Sequence, residues 1–385
     1  MKQHALTFAA QSDQGKAQQA RICGRPAEGL GGFVITLAQY AQIILLAAVA
    51  SFLLNRLLAP LLARYFVASP TARSSHKVPT PQGGGIAVVA ATTLAMLAVS
   101  LFPGMDKRTL IALWPMAAGV ALLAGTGACD DILHLPVGPR FVLQFAAIAL
   151  ALYALPADAR VVPVLPSWAE RAALLVAGVY LVNIVNFMDG IDWMTVAEVV
   201  PVTAALWIAS WFGALTPVDA ALAIAVAGAM LGFAPFNRPV ARLFLGDVGS
   251  LPLGLLLFWL LLRLAADGHL AAALLLPLYY LADATVTLVW RLARGENVLR
   301  AHRTHFYQRA TDLGFPVTEV VARVFVVNFG LAVLAVGSVA TASPAVSVAA
   351  LALGAALVAA LLADFSRQRS GLRDRDRKPE TLPEP

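Results

Sequence analysis

The sequence predicts an all-α integral membrane protein with about eleven transmembrane helices. Three observations predict it. Apolar residues make up 59% of the 385 and charged residues only 13%, where a soluble domain is about half apolar and about a quarter charged. Mean hydropathy is +0.76. Long apolar runs recur along the whole chain, separated by polar connections. A spanning helix needs roughly 20 mostly apolar residues, so eleven would use about 220. That is close to the apolar share. A disordered chain, a collagen, a coiled coil and an ordinary cytosolic enzyme are excluded, and little is left for a large domain outside the membrane.

The runs fall at 34–63, 84–102, 109–127, 141–155, 169–187, 194–212, 217–235, 249–265, 269–290, 319–340 and 343–363. The first is closed by the polar stretch 64–83 and the second by 103–108. The third ends at the acidic and basic segment 128–140. The fourth is short, with Arg140 as an alternative start, and gives way to 156–171. The fifth stops at 188–193, the seventh at 236–248, the eighth at 263–268 and the ninth at the long segment 291–318. Thr341, Ser343 and Pro344 separate the last two. Residues 1–32 read as a flexible polar N-terminal tail without the apolar stretch of a cleaved signal peptide. Residues 33–364 form one polytopic membrane domain, and 365–385 a charged C-terminal tail. Cys23 and Cys129 provide neither a disulfide framework nor zinc spacing.

Net charge is +6, from 28 Lys and Arg against 22 Asp and Glu. In a membrane protein this excess records topology and anionic headgroups rather than nucleic acid. Connections after odd-numbered runs, with the C-terminal tail, hold 17 of the 28 basic residues. The positive-inside rule puts that side in the cytoplasm, with the N-terminus outside and the C-terminus inside.

Five connections are dense in polar residues, and all five fall on that side. The first runs from Arg73 through His76, Lys77 and Gln82 to Gly83-Gly84-Gly85. Glycines let backbone amides approach a ligand, a helix start favours an anion, and Lys77 suits a phosphate. A plain Pro/Gly turn is the alternative. The second is Asp130-Asp131. Adjacent carboxylates at the membrane edge suit a hard cation or proton transfer, although for a lone Asp-Asp pair a solvated helix end is the better reading. In the third, Asn183, Asn186, Asp189 and Asp192 recur every three residues before Trp193. On a continuing helix they form a polar stripe, for interhelical hydrogen bonds or for a metal–nucleotide site. The fourth joins Asn237-Arg238-Pro239 to Gly246-Asp247-Val248-Gly249-Ser250, where Asp247 is a ligand, a helix cap or both. The fifth holds His302, Arg303 and His305. Arginine and histidine suit a pyrophosphate; a zinc pair is a weak alternative, and a basic loop gripping anionic lipid is the plain one. Within the runs, Asp283 is expected to pair with Arg291, and Glu198 to lie near the surface.

Carboxylates, glycine-rich turns and Arg/His on one face describe Mg²⁺-assisted phosphoryl transfer. No G-x-x-x-x-G-K-[ST] run is present, which argues against a P-loop ATPase. In their order along the chain, SSHKVPTPQGGG, CDD, NIVNFMDGID, FNRPVARLFLGDVGS and AHRTHFYQR resemble the polyprenyl-phosphate N-acetylhexosamine-1-phosphate transferases, glycosyltransferase family 4. The resemblance covers roughly residues 70–310. It implies transfer of a sugar-1-phosphate from a UDP-N-acetylhexosamine to undecaprenyl phosphate, with release of UMP, in the bacterial inner membrane. It implies Mg²⁺, with Mn²⁺ as the alternative, and no nucleic acid; a homodimer is compatible with it. Asp247 and Asp189 become metal ligands. Asp130, Asp131, Asp189, Asp192 and His305 become catalytic-site residues. Lys77, Asn186, Asn237, His302 and Arg303 become substrate contacts. The family continues Asp-Gly-x-Asp with Gly, where this chain has Trp193. The fifth motif lacks the adjacent histidines of the peptidoglycan branch and looks more like the initiators of O-antigen synthesis. Two other readings compete. A secondary transporter would use Asp283, Glu198 and the Asn stripe as an ion path, and a scaffold for polysaccharide assembly would need no catalytic carboxylate.

Overall fold

The computed structural model describes residues 34–68, 79–103, 105, 111–298 and 302–367. Lys77, with the rest of 73–78 in the first polar motif, and the tails 1–32 and 368–385 lie outside them. Every expected apolar run carries a helix. In chain order these are α1 (Leu37–Tyr65), α2 (Gly85–Val99), α3 (Trp114–Leu133), α4 (Val137–Ala154), α5 (Ser167–Met188), α6 (Met194–Ser210), α7 (Pro217–Phe233) and α8 (Asp247–Ala266). They continue with α9 (Leu270–Leu275), α10 (Leu278–Ala293), α11 (Phe306–Asp312), α12 (Val317–Thr341) and α13 (Pro344–Phe365). Between α1 and α2, β1 (Val67–Ala68) pairs antiparallel with β2 (Thr80–Pro81).

Seven helices are long and apolar enough to cross a membrane: α1, α3, α4, α5, α8, α12 and α13. Three shorter apolar ones are α2, α6 and α7. Three expectations are corrected. The ninth run is two helices, α9 and α10, meeting at Leu276 and Pro277. Proline cannot donate to the preceding turn, which ends a helix there. The third helix runs six residues past its expected end, so Asp130 and Asp131 stand on its last turn. The segment 291–318 contains a helix of its own, α11.

Local chemistry sets several boundaries. Thr36 and Gln39 form a capping box at the start of α1. Thr216 caps α7 and Ser343 caps α13, each followed by a proline in the first helical turn.

α8 is apolar on all sides, and such a helix belongs inside a bundle. Its apolar window is 94% buried, against 22–44% for the other six long helices. It packs chiefly against α3, α5, α2 and α9, while α1 packs against α7 and α2, and α6 against α12. Two glycines bring neighbours onto the first turn of α8. A Cβ on Gly127 of α3 would lie 2.2 Å from the Asp247 carbonyl oxygen, and one on Gly85 of α2 would lie 2.1 Å from the Gly249 Cα. Backbone hydrogen bonds tie the same region together: Phe244 donates to Pro81, Gly84 to Phe244, and Gly85 to Leu245.

At Gly127 the obstructing atoms are backbone, which cannot swing aside. Gly127→Ala is therefore expected to cost about 1–3 kcal/mol by overpacking and to displace Asp247. A thermal unfolding midpoint in detergent below that of the wild type would register it; an unchanged midpoint would show that α3 does not need this approach.

Candidate active site

The site grows from the first turn of α8. Its backbone N–H groups have no partner within the helix. Gly246 precedes it at φ 76°, a conformation that glycine takes without strain. The expected cap was Asp247 itself, but Asp247 is the first helical residue and caps nothing. The cap is Asp131, from the end of α3. Its Oδ1 accepts the Asp247 N–H at 3.0 Å and its Oδ2 the Val248 N–H at 3.1 Å. A carboxylate there also complements the positive end of the helix dipole. A side chain on Gly246 would collide with it, since a Cβ would sit 2.7 Å from Asp131 Oδ2.

Around Asp247 the other groups converge. Asn186, near the end of α5, donates to Asp247 Oδ1 at 2.7 Å and to Ser250 Oγ at 2.9 Å. The carboxyls of Asp130 and Asp131 both act on that of Asp247. Asp130 is buried, accepting from Arg140 Nη1 at 2.6 Å and from the Leu135 N–H at 2.7 Å. Gln82 donates to the Asp131 carbonyl at 3.2 Å, bringing in the end of the first motif.

Asp189 lies at the C-terminal cap of α5 and accepts from the Thr195 hydroxyl. Burial, joined by the negative charge of Asp131 and Asp192, pushes its carboxyl up to about 7. The expected stripe on a continuing helix is therefore corrected, because α5 stops at Met188 and the chain turns through Asp189–Trp193. The four polar residues divide their work. Asn183 exchanges hydrogen bonds with Gln144 of α4, at 2.7 and 3.3 Å, which is the interhelical role. Asn186 faces Asp247. Asp192 accepts the Ala241 N–H at 2.9 Å, holding the segment before α8.

Trp193 stands at φ 62°, ψ 0°, left-handed backbone that L-residues adopt at a cost of roughly 1–2 kcal/mol. This is where the resembling family has glycine. Two bonds hold it: its N–H donates to Asn237 Oδ1 at 2.8 Å, and its indole Nε1 to the Ala234 carbonyl at 2.7 Å. Asn237 also donates to the Leu243 carbonyl at 3.1 Å, so both ends of its buried amide brace the loop.

The fifth motif joins through α11. Tyr307 donates to the Phe187 carbonyl at 3.0 Å, and a Cβ on Gly190 would be 2.0 Å from that hydroxyl. His305 is 2% exposed, with ring centroids 4.8 Å from His302, 5.9 Å from Tyr307 and 6.4 Å from Phe187. His302 contacts the Thr304 hydroxyl at 2.9 Å. Burial, then the neighbouring His305 and Arg291, lowers its pKa to about 4. Arg303 donates to Asp312 at 2.6 Å and to Thr311 at 3.2 Å.

Asp283 is a second correction. Arg291 donates to Glu296 and to the Asn297 carbonyl, not to Asp283. Asp283, fully buried, instead accepts the N–H groups of Phe306 and Tyr307 at 2.9 and 3.2 Å. It thus caps α11, and it lies 3.4 Å from His305 Nδ1. The sequence flagged its burial but not its partner, which lies 23 residues on. Glu198 is buried rather than superficial and accepts from Asn328 of α12 at 2.6 Å. Arg140 and Thr195 also act at the site without having been singled out; only contacts made in the fold distinguish them.

Among the described residues, no three His, Cys, Asp or Glu form a ready-made metal group. The donor chemistry nevertheless fits Mg²⁺, which is commonly held by one or two carboxylates together with substrate phosphates. Asp247 is crowded by two further carboxyls, and that repulsion is what a hard cation relieves. The carboxylates, the asparagine and the histidine helix all gather at one end of the bundle. Two buried acidic residues elsewhere are paired where they stand. Glu170 binds Arg160 and two backbone amides, and Asp219 binds Thr216, Trp259 and Arg263.

The family model "Glycosyl transferase family 4" matches residues 113–265, from the start of α3 to the end of α8. The decaprenyl-phosphate N-acetylglucosaminephosphotransferase of Mycobacterium leprae is 26% identical over 343 residues, 77% of this chain and 84% of that protein. The phospho-N-acetylmuramoyl-pentapeptide-transferase of Moorella thermoacetica is 32% identical over 245 residues, 55% of this chain and 71% of that one. This chain belongs to glycosyl transferase family 4, with the polyprenyl-phosphate hexosamine-1-phosphate transferases. A probable undecaprenyl-phosphate N-acetylglucosaminyl 1-phosphate transferase of Bacillus subtilis is a more distant relative, 22% identical over 308 residues, 76% of this chain and 84% of that protein. The matched segment carries Asp130, Asp131, Asn186, Asp189, Asp192, Asn237 and Asp247, the polar core of the site.

Two outcomes follow for the ligand-free protein. Asn237→Ala removes partners from the Trp193 N–H and the Leu243 carbonyl, each worth about 1–3 kcal/mol when left unsatisfied, so its unfolding midpoint is expected to drop before any substrate is added. His302 has its pKa lowered below the unfolded value near 6.5. The neutral ring therefore contributes stability that is present above about 6.5 and is lost as pH falls toward 4. Unfolding midpoints of the wild type and His302→Gln at pH 7.5 and pH 5 should converge toward low pH; parallel curves would contradict the shift.

Proposed function

We propose that this protein transfers an N-acetylhexosamine-1-phosphate from a UDP-sugar to undecaprenyl phosphate, releases UMP, and so initiates O-antigen or another cell-surface polysaccharide. The observation that carries the reading is the convergence of Asp247 with Asp130, Asp131, Asn186 and Asp189 at one end of an apolar bundle. A lipid phosphate arriving in the membrane plane and a nucleotide sugar arriving from water can meet at such an edge.

The lipid phosphate is a monoester with its second pKa near 6 and is mostly dianionic at neutral pH. It needs no strong base. One of its oxygens attacks the phosphorus that bears the sugar, forming a new P–O bond. The bond from that phosphorus to the bridging oxygen breaks, and the electron pair leaves with UMP. Mg²⁺, held by Asp247 and Asp189, would neutralise charge on the diphosphate. Asn186 fixes the orientation of Asp247, and Asp131 fixes the helix start that presents it. Asp130 and Asp131 lie beside the reacting phosphates. Asp192 and Asn237 shape the loop that receives the nucleotide. His305, His302, Arg303 and Lys77 bind phosphate, Arg303 by exchanging its present partners for phosphate oxygens. The excess of basic residues on the connections at this end supports a cytoplasmic site in the inner membrane, with the N-terminus outside and the C-terminus inside. The form of the fifth motif supports the O-antigen branch over a muramoyl-pentapeptide donor.

Purified protein given undecaprenyl phosphate, Mg²⁺ and a panel of UDP-N-acetylhexosamines should release UMP and yield a lipid-diphosphate-sugar identified by mass spectrometry. Chelation of divalent ions should stop it, and Asp247→Ala should slow it by about 100-fold or more. Absence of UMP with every donor, or full activity in Asp247→Ala, would refute the proposal.

A further inference from the structure

One buried acidic residue has no part in the site described above. Glu198 lies early in α6, inside the bundle, and Asn328, Thr195 and Tyr280 are buried with it. Asn328 spends both hydrogens of its amide here, one on the Ala197 carbonyl at 3.0 Å and one on Glu198 Oε2 at 2.6 Å. Glu198 Oε1 is left without a donor, and no basic side chain among the described residues pairs with it. An ionised carboxylate is expensive in an apolar interior without a cation, so such a group keeps its proton. The protonated acid also turns the free oxygen into a donor.

That donor has a receiver. The hydroxyl of Tyr280, on α10, is buried and unpartnered as well. Its carboxyl neighbours are Glu198 and Asp189, and Thr195 stands beside it. Thr195 donates its only hydroxyl hydrogen to Asp189 Oδ1, which leaves its oxygen open to accept. Two hydroxyl groups therefore separate a buried acid from a carboxylate of the site.

We propose that Glu198 is a positioning residue for Asp189. Keeping its proton, it donates to Tyr280, Tyr280 donates to Thr195, and Thr195 donates to Asp189. Each hydroxyl carries one hydrogen, so the proton on Glu198 sets the direction of the whole chain. The Thr195 hydrogen is then confined to Asp189 Oδ1, and Oδ2 is not claimed by the chain. Groups that hold a ligating carboxylate from behind fix its orientation, and linked hydrogen bonds strengthen one another. The proposal rests on the reading of Asp189 as a metal ligand in the transferase reaction.

Infrared spectra of the full-length protein at neutral pH test the proton on Glu198 without any turnover. The wild type should show the carbonyl stretch of a protonated carboxylic acid that Glu198→Gln lacks; no difference between the two would overturn the proposal. The chain itself is tested by Tyr280→Phe, which removes one hydroxyl and little volume. Its Mg²⁺ affinity, titrated by calorimetry, should fall about tenfold and kcat with it, while KM for undecaprenyl phosphate is unchanged. Glu198→Gln keeps a donor and an acceptor of the same size and should match the wild type in all three. A loss in Glu198→Gln as large as in Tyr280→Phe would mean that the acid acts ionised, and overturns the proposal. Wild-type Mg²⁺ affinity and kcat in Tyr280→Phe would overturn it too, even with a lowered unfolding midpoint, because the Glu198 proton would then be spent on Asn328 Oδ1, which also lacks a donor. If the wild type turns over no donor, the transferase reading fails, and the infrared and Mg²⁺-binding results still decide the chain.

Discussion

The site depends on one carboxylate capping a helix it does not belong to. Asp131 closes α3, yet its two oxygens serve the first two N–H groups of α8. An apolar helix buried in the centre of the bundle would otherwise begin with unsatisfied donors. Because the cap comes from a neighbour, it fixes the position of α8 along its axis relative to α3. Asp247 donates the first of those two bonds, so its place is set by them. Gly127 and Gly85 permit the approach, Gly246 leaves room for the carboxylate, and Asn186 fixes the remaining freedom of the Asp247 side chain.

The same device appears at α11. Asp283, inside α10, accepts the first two N–H groups of a short helix whose N-cap is His305. In both places a buried carboxylate on one helix orients the start of another, and a functional candidate sits at that start. The cost of burying each charge is offset by backbone donors rather than by a basic side chain. The transporter reading rested on Asp283, Glu198 and the Asn stripe, but Asp283 holds the start of α11, Glu198 accepts from Asn328, and Asn183 pairs with Gln144 while Asn186 faces Asp247.

Much of this was legible in the sequence. The apolar runs located every long helix because hydrophobic length is a direct requirement of the bilayer, but not α11, which lies in a polar segment. Polar residues are scarce in such a chain, so the five motifs stood out, and their parity placed them at one end. Their hydrogen bonds bear this out for the described ones: Asp131 meets Asp247, Asn186 meets Asp247, Asn237 meets Trp193, and Tyr307 meets Phe187. The role of each residue was less legible. Asn183 and Asn186 are alike in sequence, three apart, yet one joins two helices and the other faces the carboxylates. The drift of a helix face over three residues decides that, and only with the neighbours in place. Trp193 was noticed as a departure from glycine. The structure adds that the backbone there keeps the left-handed form and that Asn237 and Ala234 hold it.

The sequence by itself determined the class of the protein, the places of its long apolar helices and the end at which its polar motifs gather, because each follows from local composition and from counting crossings. Tertiary structure alone decided which carboxylate caps, which pairs and which stays crowded. Asp130 is bound to Arg140, Asp131 to the start of α8 and Asp283 to the start of α11, over separations of 10, 116 and 23 residues. No local pattern specifies those partners. They are fixed by how closely glycine lets the helices approach and by the requirement that buried polar groups be satisfied.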